Sequence, residues 1–445
     1  MTKPAYLRAF FCYNSAAAKI CSSVYFPPRD CCNCGMDTST FRVHTLLLAD
    51  GERMPLLLGG DLQPQYYPTL FITSQIRNAG RAVNSISAEL ASIKRLYTWA
   101  ERRKIDLEAR LGAREYLRDF ELDDLCRFVC ERLYKTPGGR SGAQLKLREA
   151  KSREVRIKAE SRYRHLMFLT RYLQWLSERL VESRSGCLDQ GARAEICAMV
   201  ANLGARKPRK AASSRLNARM GLTVDDQQKL VRVSGMRSIE NTQYLGVEQR
   251  DELIVRLLLH LAIRAGELLA LKTDDFDFQK NEVVIQRRPD DPDDPRVQQP
   301  LVKTCDRRLP VADDLMKLVY AYILGPRRSF QQAKRHKFLF VVHRNGPHAG
   351  KPLTAKGLAK LFERLRGLAD LPSLTPHVLR HTANERFSEL MDELGVPEAR
   401  EEQLRSYNMG WRDGSGTAAA YTRRHVAAKA ADASKRLQEK LNARK

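Results

Sequence analysis

The stretch "TPHVLRHTANERF", Thr375 to Phe387, sets His377 and Arg380 three residues apart with His381 directly behind. On a helix, residues three and four apart are neighbours, so two imidazoles and a guanidinium share one face. Histidines that fill a core are not expected to cluster with an arginine in this way. A site that handles phosphate is, because a guanidinium binds phosphate oxygens bidentately and imidazole donates or accepts protons.

Other residues extend the same chemistry. "LLLHLAIRAGELLALKTDDFDF", Leu257 to Phe278, is predicted as one helix and holds Arg264 and Glu267 among Leu, Ala and Ile. Charge in such a setting is costly unless it is neutralised or used. A carboxylate that fixes a guanidinium which in turn binds phosphate satisfies both readings. Lys303 sits near the start of the second of two short strands, "NEVVIQRRP" and "LVKTCDRRLPV", which an acidic turn "DDPDDP" separates. Trp411 precedes a glycine-rich turn in "NMGWRDGSGTAAAYTRRHV", and Tyr421 lies in a small-residue helical segment with a basic flank. Tyr407 is a rival hydroxyl. No His, Asp or Glu cluster of metal-ligand type accompanies these residues.

The elements that must carry them can be read from periodicity. "FRVHTLLLADGERMPLLL", Phe41 to Leu58, predicts two strands around Asp50-Gly51, a type I′ hairpin signal. This gives an N-terminal arm over 1–61. Val83, Ile86, Leu90, Ile93, Tyr97 and Ala100 recur at steps of three and four, as do Leu166, Leu169, Leu173, Leu176 and Leu180, so each set marks a helical face. These helices predict an all-α domain over 62–205, broken at "TPGGRSG". A basic linker follows over 206–222, where "GARKPRKAASSRLNARMG" holds six Lys or Arg and no acid. "TVDDQQKLVRV" then starts a further helix with Thr223 as N-cap, opening a domain over 223–445. The C-terminal "HVAAKAADASKRLQEKLNARK" reads as an amphipathic helix.

Composition bounds the partners. The chain has 445 residues, 43% of them hydrophobic, with 77 Lys and Arg against 52 Asp and Glu and a formal charge of +25. That excess predicts a polyanion, double-stranded DNA above all. Candidate phosphate-facing cations are Lys94 and Arg95 beside the first helical face, Arg156 and Arg162 in a basic run, and Arg206, Lys207, Arg209 and Lys210 in the linker. The absence of a long apolar run argues against a membrane partner. Lys19 and the polar pair Asn14 and Ser15 make the N-terminus read as cytosolic sequence rather than a signal peptide. Cys31 and Cys34 form one zinc-type knuckle, half of a structural site; thiols in a reducing cytosol are the ordinary reading, and no metal is expected.

Taken in order, Arg264 with Glu267, Lys303, His377-x-x-Arg380, Trp411 and Tyr421 resemble the catalytic domain of the tyrosine recombinase (phage integrase) family. The resemblance covers about residues 223 to 425. Trp411 stands where a histidine is commoner, and "DDPDDP" interrupts the strands that present the lysine. The resemblance implies a fold that is mainly α with a small β-sheet: an all-α core-binding domain and a mixed α/β catalytic domain. It also implies a recombinase that cuts and rejoins DNA through a covalent 3′-phosphotyrosyl link, without cofactor. In those roles Arg264 and Arg380 bind the phosphate, Tyr421 attacks, and His377 is the base or a donor to phosphate. Lys303 is the general acid, and Trp411, which can only donate, binds and packs. A tetramer on DNA, accessory proteins and a nucleoid-associated cytoplasmic location in a prokaryote go with the family. A type IB-like topoisomerase, or a DNA-binding regulator with a degenerate site, are the alternatives.

Overall fold

The computed structural model describes residues 40–79, 81–131, 157–209, 221–236, 246–412 and 429–440. The chain divides into two compact units. Residues 1–40 with 130–157 form one, nearly all of it outside the described residues, and the other comprises 41–129 and 158–445. The cysteine cluster before residue 40 therefore also lies outside the described residues.

Strands β1 (Arg42–Leu47) and β2 (Arg53–Leu58) pair antiparallel, with Arg42 opposite Leu58. Every residue of β2 is buried. The connection is longer than the two-residue turn that Asp-Gly suggested. Gly51 donates its N–H to the Leu48 carbonyl at 3.0 Å, and Leu48 donates to Glu52 at 2.8 Å. Gly51 takes φ +88°, and a Cβ there would stand 2.5 Å from the Asp290 carbonyl oxygen. A distant segment has pressed onto the hairpin tip, so glycine is needed for conformation and for space alike.

Helix α1 (Tyr66–Phe71) runs into a π-helical turn, Ile72–Arg77. Then follow α2 (Val83–Arg102), α3 (Leu107–Gly112), α4 (Asp119–Cys130), α5 (Ala159–Ser185) and α6 (Gln190–Ala205). The expected faces are the buried ones: Ile86, Leu90, Ile93, Tyr97 and Ala100 on α2, and Leu166, Leu169, Leu173, Leu176 and Leu180 on α5. Where these faces meet, the Tyr97 and Tyr172 hydroxyls hydrogen-bond at 2.9 Å, so two buried polar tips satisfy one another.

The α-helices and strands that follow are α7 (Val224–Gly235), α8 (Val247–His260), α9 (Ala265–Ala270), β3 (Phe276–Asp277), β4 (Glu282–Ile285), β5 (Arg307–Pro310), α10 (Asp313–Tyr322), α11 (Ala355–Ala369), α12 (Pro376–Glu393) and α13 (Glu398–Met409), with short 3-10 or π turns at Thr273–Asp275, Ile323–Arg327 and Gln331–Arg335. Thr223 caps α7 as expected, accepting from the Asp226 N–H at 3.2 Å. The strands form one antiparallel sheet in the order β3-β4-β5. Its buried residues Val283, Ile285 and Leu309 join Leu253, Ile254, Leu257 and Leu258 of α8 in one apolar core, together with Leu361 and Leu365 of α11 and Leu379 of α12. The architecture is mainly α with a small β-sheet, as expected.

A second expectation also fails. The stretch 257–278 is not a single helix: α8 stops at His260 and α9 starts at Ala265. Between them Ala262 adopts φ +51°, a left-handed conformation that interrupts any helix. Arg264 is extended, φ −76° and ψ 155°, and becomes the N-cap of α9. The apolar periodicity continues across the break because both sides face the same core, and periodicity alone does not register a break of that kind.

Candidate active site

The break places Arg264 at a helix start with Glu267 one turn on. Glu267 is buried and accepts four hydrogen bonds. These come from the Arg264 N–H at 3.1 Å, Arg264 Nη1 at 3.2 Å, Thr304 Oγ1 at 2.9 Å and Arg307 Nη2 at 2.8 Å. The first is the reach-back bond of a capping box. Burial pushes the Glu267 carboxyl up, yet the charge and hydrogen bond of Arg307, the charge of Arg380 and the Arg264 N–H outweigh it. Its pKa therefore falls below the ordinary value, and the group is a carboxylate at neutral pH.

Lys303 precedes β5 by four positions, in the connection from β4, and is exposed. Its neighbours are fixed. Thr304 is held by Glu267, Cys305 donates its N–H to the Gly410 carbonyl at 2.9 Å, and Val302 is buried. A Cβ on Gly266 would lie 2.9 Å from the Leu301 carbonyl oxygen, so this segment runs hard against α9.

Helix α12 opens with Thr375 as N-cap and Pro376 in its first turn. His377 is exposed, and its ring meets that of His381 edge-on with centroids 4.4 Å apart. Arg380 is buried and donates to the carbonyls of Ala262 and, at 3.2 Å, of Met409. Its guanidinium carbon lies 5.5 Å from the centre of the Trp411 ring. Trp411 follows the left-handed Gly410 that ends α13, and its N–H returns to the Ser406 carbonyl at 2.9 Å, the long bond of a Schellman motif.

These pieces converge on an open cavity of about 760 Å³ whose wall includes Arg264, Arg287, Lys303, Thr304, Trp411 and Arg412. Three of the expected residues, Arg264, Lys303 and Trp411, line it. Arg380 lies behind Trp411, and His377 is not part of the wall. Arg287, Arg412 and the buried Arg307 were missed by sequence reasoning; each sits in a basic doublet or beside Trp411, where nothing local separates it from other surface arginines. Four cations and one carboxylate, Asp306, line this cavity, a balance of charge that attracts an anion. Tyr421 lies outside the described residues.

Of the cations assigned to the DNA-facing surface, Arg156 and Lys210 also lie outside the described residues. Lys94 and Arg95 are half-buried on α2, and Arg95 Nη1 donates to the Val129 carbonyl at 3.2 Å. Arg162 reaches the Arg206 carbonyl at 3.4 Å. Arg206 pairs with Asp123 at 2.6 Å and Asp119 at 3.3 Å, tying the end of α6 to α4. Lys207 is half-buried, and Arg209 is exposed.

Among the described residues, no helix is long and apolar enough to cross a membrane. Residues 229–426 match the model of the phage integrase family. Transposase A from transposon Tn554 of Staphylococcus aureus is 27% identical over 157 residues, 35% of this chain and 41% of that protein. The chain thus spans about two-fifths of the length of that curated relative. Among solved structures, the XerA recombinase aligns over 80% of this chain and 92% of its own, with 17% identity and a TM-score of 0.33. The Tn1549 transposon integrase in complex with transposon right end DNA aligns over 62% and 93%, with 16% identity and a TM-score of 0.37. The similarity to the phage integrase family thus lies in residues 229–426, a little under half of the chain.

Proposed function

We propose that the chain is a site-specific DNA recombinase that cuts and rejoins strands through a covalent 3′-phosphotyrosyl intermediate, in the integration, excision or transposition of a mobile element. The observation that carries this reading is the cavity lined jointly by Arg264, Lys303 and Trp411, with Arg380 packed behind the indole. The relative named as a transposase is in keeping with it.

In this mechanism the cationic wall holds one phosphodiester, and Arg264 and Arg380 supply charge that grows in value as the transition state forms. The Tyr421 oxygen forms a bond to phosphorus while the bond to the 5′ oxygen breaks. Lys303 passes a proton to that leaving oxygen. His377 is the base or a further donor to phosphate. The phosphotyrosyl ester conserves the linkage, so attack by a 5′-hydroxyl reverses the step without an energy source. Residues 62–205 act as the core DNA-binding domain, with the arm over 1–61 and the linker over 206–222, and the active assembly is a tetramer on DNA.

The test is covalent adduct formation on a nicked substrate that loses its 5′ fragment after cleavage. A protein–DNA adduct is expected, and it should form in excess EDTA. No adduct from a DNA-bound protein would favour a regulator with a degenerate site; relaxation of supercoils without pairing of two sites would favour a topoisomerase.

A further inference from the structure

The acidic insertion between β4 and β5 looks ill-suited to a DNA site, since four aspartates stand close to residues that must hold phosphate. The structure buries Asp291 and Asp294 and pairs all four with cations. Asp290 pairs with Arg77 at 2.7 Å, Asp291 and Asp293 with Lys272 at 2.9 and 3.3 Å, and Asp294 with Arg296 at 2.8 Å. At the centre of the insertion is Arg53 of β2, which has no exposed surface. Its guanidinium donates to the carbonyls of Gly51 and Asp294 at 2.6 Å each and to that of Arg296 at 3.1 and 3.2 Å.

Arg296 continues the connection. Its Nη1 donates to the Leu269 carbonyl at 3.0 Å, near the end of the helix that Arg264 begins, and to that of Leu353 at 2.8 Å. Further along, Gln299 Nε2 donates to the Arg288 carbonyl at 2.8 Å and closes the base of the insertion. Four residues later comes Lys303.

We propose that the N-terminal hairpin is a positioning element for the Lys303 segment, and that Arg53 is the residue through which it acts. This rests on the reading of Lys303 as the general acid. A buried guanidinium that bonds several carbonyls fixes a loop having no regular secondary structure of its own. The hairpin tip at Gly51 seals the same loop from the other side.

The test uses Arg53→Lys in the full chain, which keeps the charge and loses the planar fork. Adduct formation on ordinary DNA should slow by about ten- to a hundredfold, the scale of a misplaced reacting group. Replacing the bridging 5′ oxygen by sulfur, which needs no proton on leaving, should restore most of the rate. Amide hydrogen exchange over 297–305 should accelerate. Equal slowing on both strands, or unchanged exchange over 297–305, overturns the proposal. Lys303→Ala, run in parallel, separates the two readings. If sulfur does not rescue Lys303→Ala, the general-acid assignment fails and the exchange measurement alone decides the role of the hairpin. Should Arg53→Lys not fold, Arg77→Ala loosens the same insertion through Asp290 and is judged by the same readouts.

Discussion

The Arg380 guanidinium donates to the backbone carbonyl of Ala262, the residue at which the chain leaves the helical conformation ahead of Arg264. The two arginines of the proposed phosphate site are therefore not independent: one holds the turn that presents the other. Arg380→Ala should abolish adduct formation and also cost about 1–3 kcal/mol of stability, from buried carbonyls left unsatisfied. Arg380→Lys cannot span the Ala262 and Met409 carbonyls together and should recover only part of that stability. Denaturant midpoints and adduct yields measured on both variants check this; a fully stable, inactive Arg380→Ala would show that the Ala262 turn stands without it.

Glu267 ties Arg264, Thr304 and Arg307 together, so Glu267→Gln should destabilise the fold, by up to about 3–5 kcal/mol as for a broken buried pair. The sign of the pH dependence follows from its lowered pKa. The stabilisation is present above the unfolded carboxylate value and is lost as pH falls through the lower folded value. The stability gap between wild type and Glu267→Gln should therefore close in acid. A gap that widens on acidification would contradict the assignment.

Tyr421→Phe should keep DNA binding and lose all adduct. Tyr407 is exposed on α13 and lines a second cavity beside Arg307 and Arg412, which makes it the rival nucleophile. Tyr407→Phe should retain adduct formation. The reverse pattern in a gel assay would transfer the role to Tyr407.

Lys303→Ala should slow cleavage of ordinary DNA by about 10²–10⁴-fold, as for general acids elsewhere. Most of that loss should vanish on a strand with bridging 5′ sulfur. Arg264→Ala should stay slow on both strands, because its part is charge stabilisation. Adduct rates for the two variants on the two substrates decide it, and an equal Lys303→Ala defect on both would remove Lys303 as the acid.

Residue order and periodicity by themselves pointed to a mainly α fold with a small β-sheet. The spacing of His377 and Arg380, the buried stripes of α2 and α5, the Thr223 cap and the hairpin of β1 and β2 all follow from local rules, since each depends on residues within a few turns of one another. Three things were decided only by tertiary structure. The helix break at Ala262 is a left-handed alanine that no local pattern favours, and its carbonyl is held by Arg380 from 118 residues away. The role of Arg307 appears only when β5 brings it to Glu267, across 40 residues. The insertion reads in sequence as an acidic turn, yet Arg53 binds its backbone from 241 residues away, and Asp291 and Asp294 within it are buried. Contacts at such separations arise from packing of the whole chain, and the residue types at either end carry no local signal of their partner.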